Sequence, residues 1–314
     1  MKISVVIPCY RSQNTIRGVV NELMTTMQTR PETEYEIILV NDCSPDNVWS
    51  VIKEICQENK NVRGVCLARN FGQHSALMAG YHLCTGDYII SMDDDGQSAA
   101  NELFRLVDTL EEGYDVVYAD YPVKKESAIR LLGSELNAKM NEIMIDKPKG
   151  IVPNSYFIVR KFIVKEMLKY ENAYPYVDGL IFRATKNIGK VEITHREREE
   201  GCSGYTLKKL ISLWLNGFTA FSVKPLRIAT LCGGMCAVAG MLYGVFIVIQ
   251  RIFDSAPIAG WSSMMAALLF IGGMIMLMLG MVGEYIGRIY ICMNNSPQYV
   301  IREVLNQKND DSVS

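Results

Sequence analysis

Four short runs of aliphatic and β-branched residues fill the first hundred positions. Each ends in a polar cluster, and each is followed by a stretch with helical spacing. Ile3–Ile7 stops at Pro8, and helical spacing follows over Asn14–Met27. Glu36–Val40 ends in Asn41-Asp42-Cys43-Ser44-Pro45-Asp46-Asn47, with a helix expected over Val48–Asn59. Val62–Leu67 leads to Ala68-Arg69-Asn70-Phe71-Gly72-Gln73-His74, then a small-residue helix over Ser75–Cys84. Tyr88–Met92 precedes a helix over Asn101–Leu110. The runs are continuous rather than alternating, which marks strands buried on both faces of a parallel sheet. Strands alternating with helices imply right-handed βαβ units, hence an α/β fold with ligands bound beyond the carboxyl ends of the strands. Neither GxGxxG nor GxxxxGK[ST] occurs, so the common dinucleotide and P-loop fingerprints are absent.

The fourth run ends in three carboxylates, Asp93-Asp94-Asp95, then Gly96 and Gln97. Adjacent carboxylates repel one another unless a positive group sits between them. Asp93 and Asp95, at alternate positions, could share a hard divalent cation, Mg²⁺ or Mn²⁺, with substrate phosphates. Gln97 would supply a neutral oxygen. The alternative is an acidic turn leading into a helix, since Asp is common at turns and caps.

Further on, strands are expected at Val116–Ala119, Ser155–Val159 and Lys190–Thr194, and helices at Glu126–Met144, Lys161–Tyr170 and Asp178–Asn187. A charged run, His195 to Glu200, precedes the loop Gly201-Cys202-Ser203-Gly204-Tyr205. Near residue 226 the composition changes. Residues 228–249 carry no formal charge, and 264–282 form a second such run. At about 1.5 Å per residue the first spans the roughly 30 Å hydrocarbon core of a bilayer, and the second is just long enough. The boundaries expected are a cytosolic catalytic domain over 1–225, a two-helix transmembrane hairpin over 226–290 and a cytosolic tail over 291–314. Lys208, Lys209, Lys224 and Arg227 precede the hairpin, and Arg288 and Arg302 follow it. That asymmetry puts the N-terminal domain on the cytoplasmic face of the membrane, in a multi-pass arrangement. No signal peptide is expected, because Met1 leads directly into the first strand. Gly240-x-x-x-Gly244 and Gly283-x-x-x-Gly287 would allow close helix contacts, within the hairpin or in a homo-oligomer.

A net charge of −2 gives no reason to expect a nucleic-acid partner. The nine cysteines include no CxxC pair, and several lie in apolar runs, as expected of buried thiols in a reducing compartment.

The segments SVVIPCY, EIILVNDCSPDN, LARNFGQHSALMAGY, GDYIISMDDDGQ, REREEGCSGYTLKKL, KPLRI and GEYIGRIY together resemble a family 2 glycosyltransferase of the polyprenyl-phosphate type, and they span nearly the whole chain. The resemblance implies a GT-A fold, Rossmann-like and mostly parallel. It also implies a nucleotide-sugar donor, a polyprenyl phosphate acceptor embedded in membrane lipid, and a divalent metal. Carried over by position, Asp93 and Asp95 match the metal-binding DxD motif, with Gln97 as its following Gln. Asp94 falls within the donor site, Asp42 matches the acidic residue that contacts the base, and Pro8 and Tyr10 lie in the loop that packs on the nucleoside. Arg198 and Ser203 match a basic-plus-Ser loop near the phosphates, with Arg198 expected in catalysis. Three positions depart from the family pattern. Gly204 replaces a Lys, Ser155-Tyr156-Phe157-Ile158 lacks the usual Arg, and Ala99-Ala100 replace two prolines. Lys124, Arg130 or Arg160, with Ser203, is therefore expected to hold the acceptor phosphate. His74, inside a matching block, fits equally a packed or a functional role. Two rival readings are a processive polysaccharide synthase, whose QxxRW motif and extra spans are not found, and a catalytically silent nucleotide-sugar-binding module.

Overall fold

A computed structural model describes residues 1–121, 148, 150–194, 260–294 and 296–306, together with scattered positions between 226 and 249. It divides into one unit of Met1–Thr206 with Asn295–Ser314, and a second of Leu207–Asn294.

The first unit is an eight-stranded mixed sheet in the order β7-β5-β6-β4-β1-β2-β3-β8. Its leading half follows the expected alternation: β1 (Lys2–Cys9), α1 (Ile16–Gln28), β2 (Glu34–Asn41), α2 (Val48–Glu58), β3 (Val62–Leu67), α3 (Gln73–His82) and β4 (Tyr88–Ser91). A 3-10 turn at Ala100–Glu102 opens α4 (Leu103–Glu111), which leads to β5 (Val116–Asp120). After residues outside the described set come β6 (Phe157–Arg160), α5 (Lys161–Met167), α6 (Val177–Ala184) and β7 (Ile188–Glu192). The strands β3, β2, β1 and β4 are mutually parallel, as are β5 and β7, whereas β6 runs antiparallel to both β4 and β5.

The sheet is coated on both faces, which accounts for the continuous apolar runs. One core packs Ile16, Val20 and Leu23 of α1, Ile52 and Ile55 of α2, and Leu106 and Leu110 of α4 against Ile3, Val5, Ile37, Leu39 and Ile90. On the opposite face α3 lies close against β1 and β2. A Cβ at Gly80 would come within 2.4 Å of Val6 Cγ1, so only glycine allows that approach.

Residues 301–305, placed by the sequence in a tail, form β8 (Ile301–Leu305), antiparallel to β3. Ile301 faces Leu67, and the Ala68 amide donates to the Val300 carbonyl at 2.8 Å. Trp49 Nε1 donates to Glu303 at 3.2 Å, and Asn306 donates to the carbonyls of Cys56 and Val62. The sheet therefore uses chain from both sides of the apolar region.

In the second unit α7 (Trp261–Met293) runs for 33 residues, and Phe270–Met293 is long and apolar enough to cross a membrane. The described residues between 226 and 249 are also helical. A Cβ on Gly233 would lie 2.7 Å from Met278 Cε, so the two apolar segments pack together there. Gly240, Gly283 and Gly287 meet no heavy atom within 4 Å among the described residues, and Gly244 lies outside them.

Candidate active site

Parallel strands β1 and β4 are neighbours, although the chain leaves β1 through α1 toward β2 on one side and leaves β4 through α4 toward β5 on the other. Connections diverge at this switch point and leave a crevice beyond the carboxyl ends of the two strands. The acidic triplet stands there, immediately after β4.

The three carboxylates divide their roles. Asp94 Oδ2 accepts the Tyr10 amide at 2.9 Å, and its carbonyl accepts the Thr15 hydroxyl at 2.6 Å. It thereby ties the end of β4 to the loop after β1. Asp93 engages other elements: Oδ1 accepts from Gln73 Nε2 at 2.9 Å, and Oδ2 accepts from the Ser155 hydroxyl. Asp95 Oδ1 accepts the amide of Gln97 at 3.1 Å, closing an Asx turn through Gly96 at φ +76°. Asp94 is pushed up to about 6, first by burial and then by repulsion from Asp93. The Tyr121 phenol is also raised, by burial first, with Asp93 and Asp95 both contributing. Asp94 thus braces the neighbouring loop, and the charges of both Asp93 and Asp95 reach the Tyr121 phenol.

The other described positions singled out by the sequence surround this point. Pro8 is buried within β1, opposite Val40, rather than ending the strand. Tyr10 is exposed, with the Arg11 guanidinium 5.5 Å from its ring centre. Arg11 and Cys43 hold φ of 60° and 48°, a conformation that non-glycine residues rarely adopt, and both sit in loops at the strand ends. The Arg11 amide is secured by the Ser44 hydroxyl at 2.8 Å. Asp42, 4 % exposed, accepts the Phe71 amide at 2.7 Å and the Gly72 amide at 2.8 Å. Burial raises its pKa and those two bonds oppose the rise. Asp42 therefore fixes the turn into α3 that carries Gln73. His74 is neutral, lowered to about 4 by burial, and packs edge-on against Tyr176 with ring centres 5.2 Å apart.

Lys124, Arg130, Arg198, Ser203 and Gly204 lie outside the described residues. Among the described residues no group of three or more His, Cys, Asp and Glu side chains converges on one point. Asp93 and Asp95 nevertheless form an all-oxygen pair of the kind that suits Mg²⁺ or Mn²⁺, with substrate oxygens and water completing the shell. Gln73, Ser155 and Tyr121 were not singled out as site residues from the sequence, because their partners are distant along the chain.

Comparison with known proteins fits this geometry. Residues 4–168 match Glycosyl transferase family 2, and residues 224–289 match the GtrB C-terminal hairpin. The chain is 36% identical over 315 residues to the undecaprenyl-phosphate 4-deoxy-4-formamido-L-arabinose transferase of Proteus mirabilis, covering 98% of this chain and 95% of the relative. It is 34% identical over 320 residues to the protein of that name from Photorhabdus laumondii, covering 99% and 97%. Among solved structures, mannosyl-3-phosphoglycerate synthase from Rubrobacter xylanophilus superposes with a TM-score of 0.52 at 15% identity, covering 72% of this chain and 74% of that one. Glucosyl-3-phosphoglycerate synthase from Mycobacterium tuberculosis, in complex with Mn²⁺, uridine diphosphate and phosphoglyceric acid, gives a TM-score of 0.50 at 17% identity, covering 68% and 74%. These neighbours share the GT-A-like mixed α/β fold, and the hairpin match accords with a membrane hairpin after it. With its acidic pair at the switch point of such a sheet, the chain belongs to glycosyl transferase family 2 and is a glycosyltransferase.

Proposed function

We propose that this enzyme transfers a sugar from a nucleotide-diphosphate donor, UDP-linked, to a polyprenyl phosphate such as undecaprenyl phosphate, with inversion at the anomeric carbon. The observation that carries the reading is the acidic triplet just beyond β4 at the β1/β4 switch point, with Asp94 bound to the Tyr10 amide and Asp93 held by Gln73 and Ser155. The near full-length similarity to undecaprenyl-phosphate sugar transferases supports the acceptor class, and the UDP and Mn²⁺ of a fold neighbour agree with the donor and the metal.

In this reading Asp93 and Asp95, with an oxygen from Gln97, would hold Mg²⁺ or Mn²⁺, which when bound would offset the charge that builds on the departing diphosphate. Tyr10 lines the nucleoside side, Asp42 acts through the turn into α3 that it fixes, and Arg198 contacts the phosphates. Lys124, Arg130 and Ser203 hold the acceptor phosphate by charge-assisted hydrogen bonds. An acceptor phosphate oxygen bonds to the sugar C1 from the face opposite the leaving group. The C1–O bond to the diphosphate breaks, and nucleoside diphosphate departs. A phosphate monoester with a second pKa of about 6 is already largely ionised at neutral pH, so no side chain need act as general base.

The apolar helices suit an acceptor whose tail stays in hydrocarbon. We assign them as a two-span hairpin, residues 228–249 and 264–282, in the inner membrane with the catalytic unit on the cytoplasmic face. Seven residues, 294–300, join α7 to β8, and β8 begins opposite Leu67 at the sheet end that bears the acidic pair. Purified full-length protein, incubated with radiolabelled UDP-sugars and undecaprenyl phosphate, tests the assignment. A single labelled sugar on the lipid supports it. A growing polymer would indicate a processive synthase, and donor binding without transfer to any lipid phosphate would indicate a silent binding module.

A further inference from the structure

Resting on the metal-dependent reading above, we infer that Gln73 and Ser155 are positioning residues that clamp the Asp93 carboxylate for cation binding. An Asp carboxylate turns in a broad, roughly two-fold well about its last torsion, so its plane is poorly fixed by the side chain itself. Here each oxygen has its own donor. Gln73 Nε2 donates to Oδ1 at 2.9 Å, and the Ser155 hydroxyl donates to Oδ2.

The two donors come from different elements, and both are anchored. Gln73 is the first residue of α3, and the preceding Gly72 amide is held by Asp42 at 2.8 Å. Ser155 lies two residues before β6, whose Phe157 pairs with Ser91 of β4. The clamp therefore spans the crevice from the α3 side to the β6 side. Both donors are neutral, so they orient Asp93 without cancelling the charge a cation needs. A carboxylate oxygen has two lone pairs, and one hydrogen bond on each leaves the other pair for a metal. Outer-shell donors of this kind are worth about 10- to 100-fold in metal affinity.

Binding of Mn²⁺ to the full-length protein in detergent, with UDP present, can be read from the electron paramagnetic resonance signal of free Mn²⁺ without turnover. Gln73 is exposed and Ser155 only partly covered, so truncating either leaves the core intact. Q73A and S155A should each weaken Mn²⁺ binding about 10-fold with melting temperatures unchanged. S155T, which keeps the hydroxyl, should bind like the wild type. If D95A loses Mn²⁺ while Q73A and S155A retain wild-type affinity, the clamp is overturned and the metal assignment stands. If the wild type itself binds no better than D95A, the metal assignment fails and takes the clamp with it.

Discussion

The Asp94 carboxylate accepts the Tyr10 amide at 2.9 Å, fastening the end of β4 to the loop that follows β1. One of three adjacent acidic residues is thereby committed to backbone support, while Asp93 beside it is held by Gln73 and Ser155. D94A should release the β1–α1 loop. With Tyr10 packing on the nucleoside as proposed, the KM for the nucleotide donor should rise with a smaller change in kcat, measured by steady-state kinetics at saturating lipid acceptor.

The Asp42 carboxylate makes the same kind of commitment to the turn before α3. D42A would leave the Phe71 and Gly72 amides without their acceptors, at a cost of about 1–3 kcal/mol for buried groups. Hydrogen exchange should show those two amides losing protection before the strands do. Unchanged protection at Phe71 and Gly72 would contradict the assigned role.

At the opposite end of the sheet, Glu36 and Arg63 are buried at 3 % and 2 % exposure, with Arg63 Nη2 3.8 Å from Glu36 Oε2. Burial pushes the Glu36 pKa up, but bonds from Ser4 and Thr85, with the Arg63 charge, outweigh it and leave the pKa lowered. A lowered carboxylate contributes stability that is present above its unfolded value and lost as pH falls through the folded one. E36A strands the guanidinium and should cost about 3–5 kcal/mol in urea unfolding. The double variant E36A/R63M should recover much of that loss.

Asp178, in the first turn of α6, behaves oppositely. Burial pushes it up to about 6, although the Tyr118 hydroxyl donates to it at 2.8 Å and opposes the rise. Tyr118, Tyr176 and Tyr81 are the titratable groups whose own raised pKa values register its charge. A raised carboxylate contributes stability that is fully present below about 4 and lost as pH rises through about 6. D178N, which keeps an oxygen to accept from Tyr118, should therefore melt higher than the wild type at pH 7. The difference should close as pH falls toward 4, a trend measurable by melting temperature across that range.

The leading βαβα half was legible because strands buried on both faces leave uninterrupted apolar runs, and because Asp93–Asp95 interrupt the fourth run so abruptly. Strand β8 was not legible. Ile301–Leu305 is an edge strand, only partly covered, so IREVL carries charges where a central strand would not. The second apolar run was read as 264–282, yet α7 continues to Met293, because Glu284 and Arg288 end the apolar stretch without ending the helix. Strand β6 begins at Phe157 rather than Ser155, since Asn154 Oδ1 accepts the Tyr156 amide in a turn and the Ser155 hydroxyl is drawn to Asp93. Gln73 and Ser155 escaped notice because pattern along a chain does not report contacts between residues 20 and 62 positions apart.

The most direct test of the central claim is the rate at which D95A moves radiolabelled sugar from the UDP donor to undecaprenyl phosphate, with Mg²⁺ or Mn²⁺ present. The account predicts a rate about 100-fold or more below wild type, with the protein still folded by its melting temperature. Transfer by D95A at the wild-type rate would contradict it.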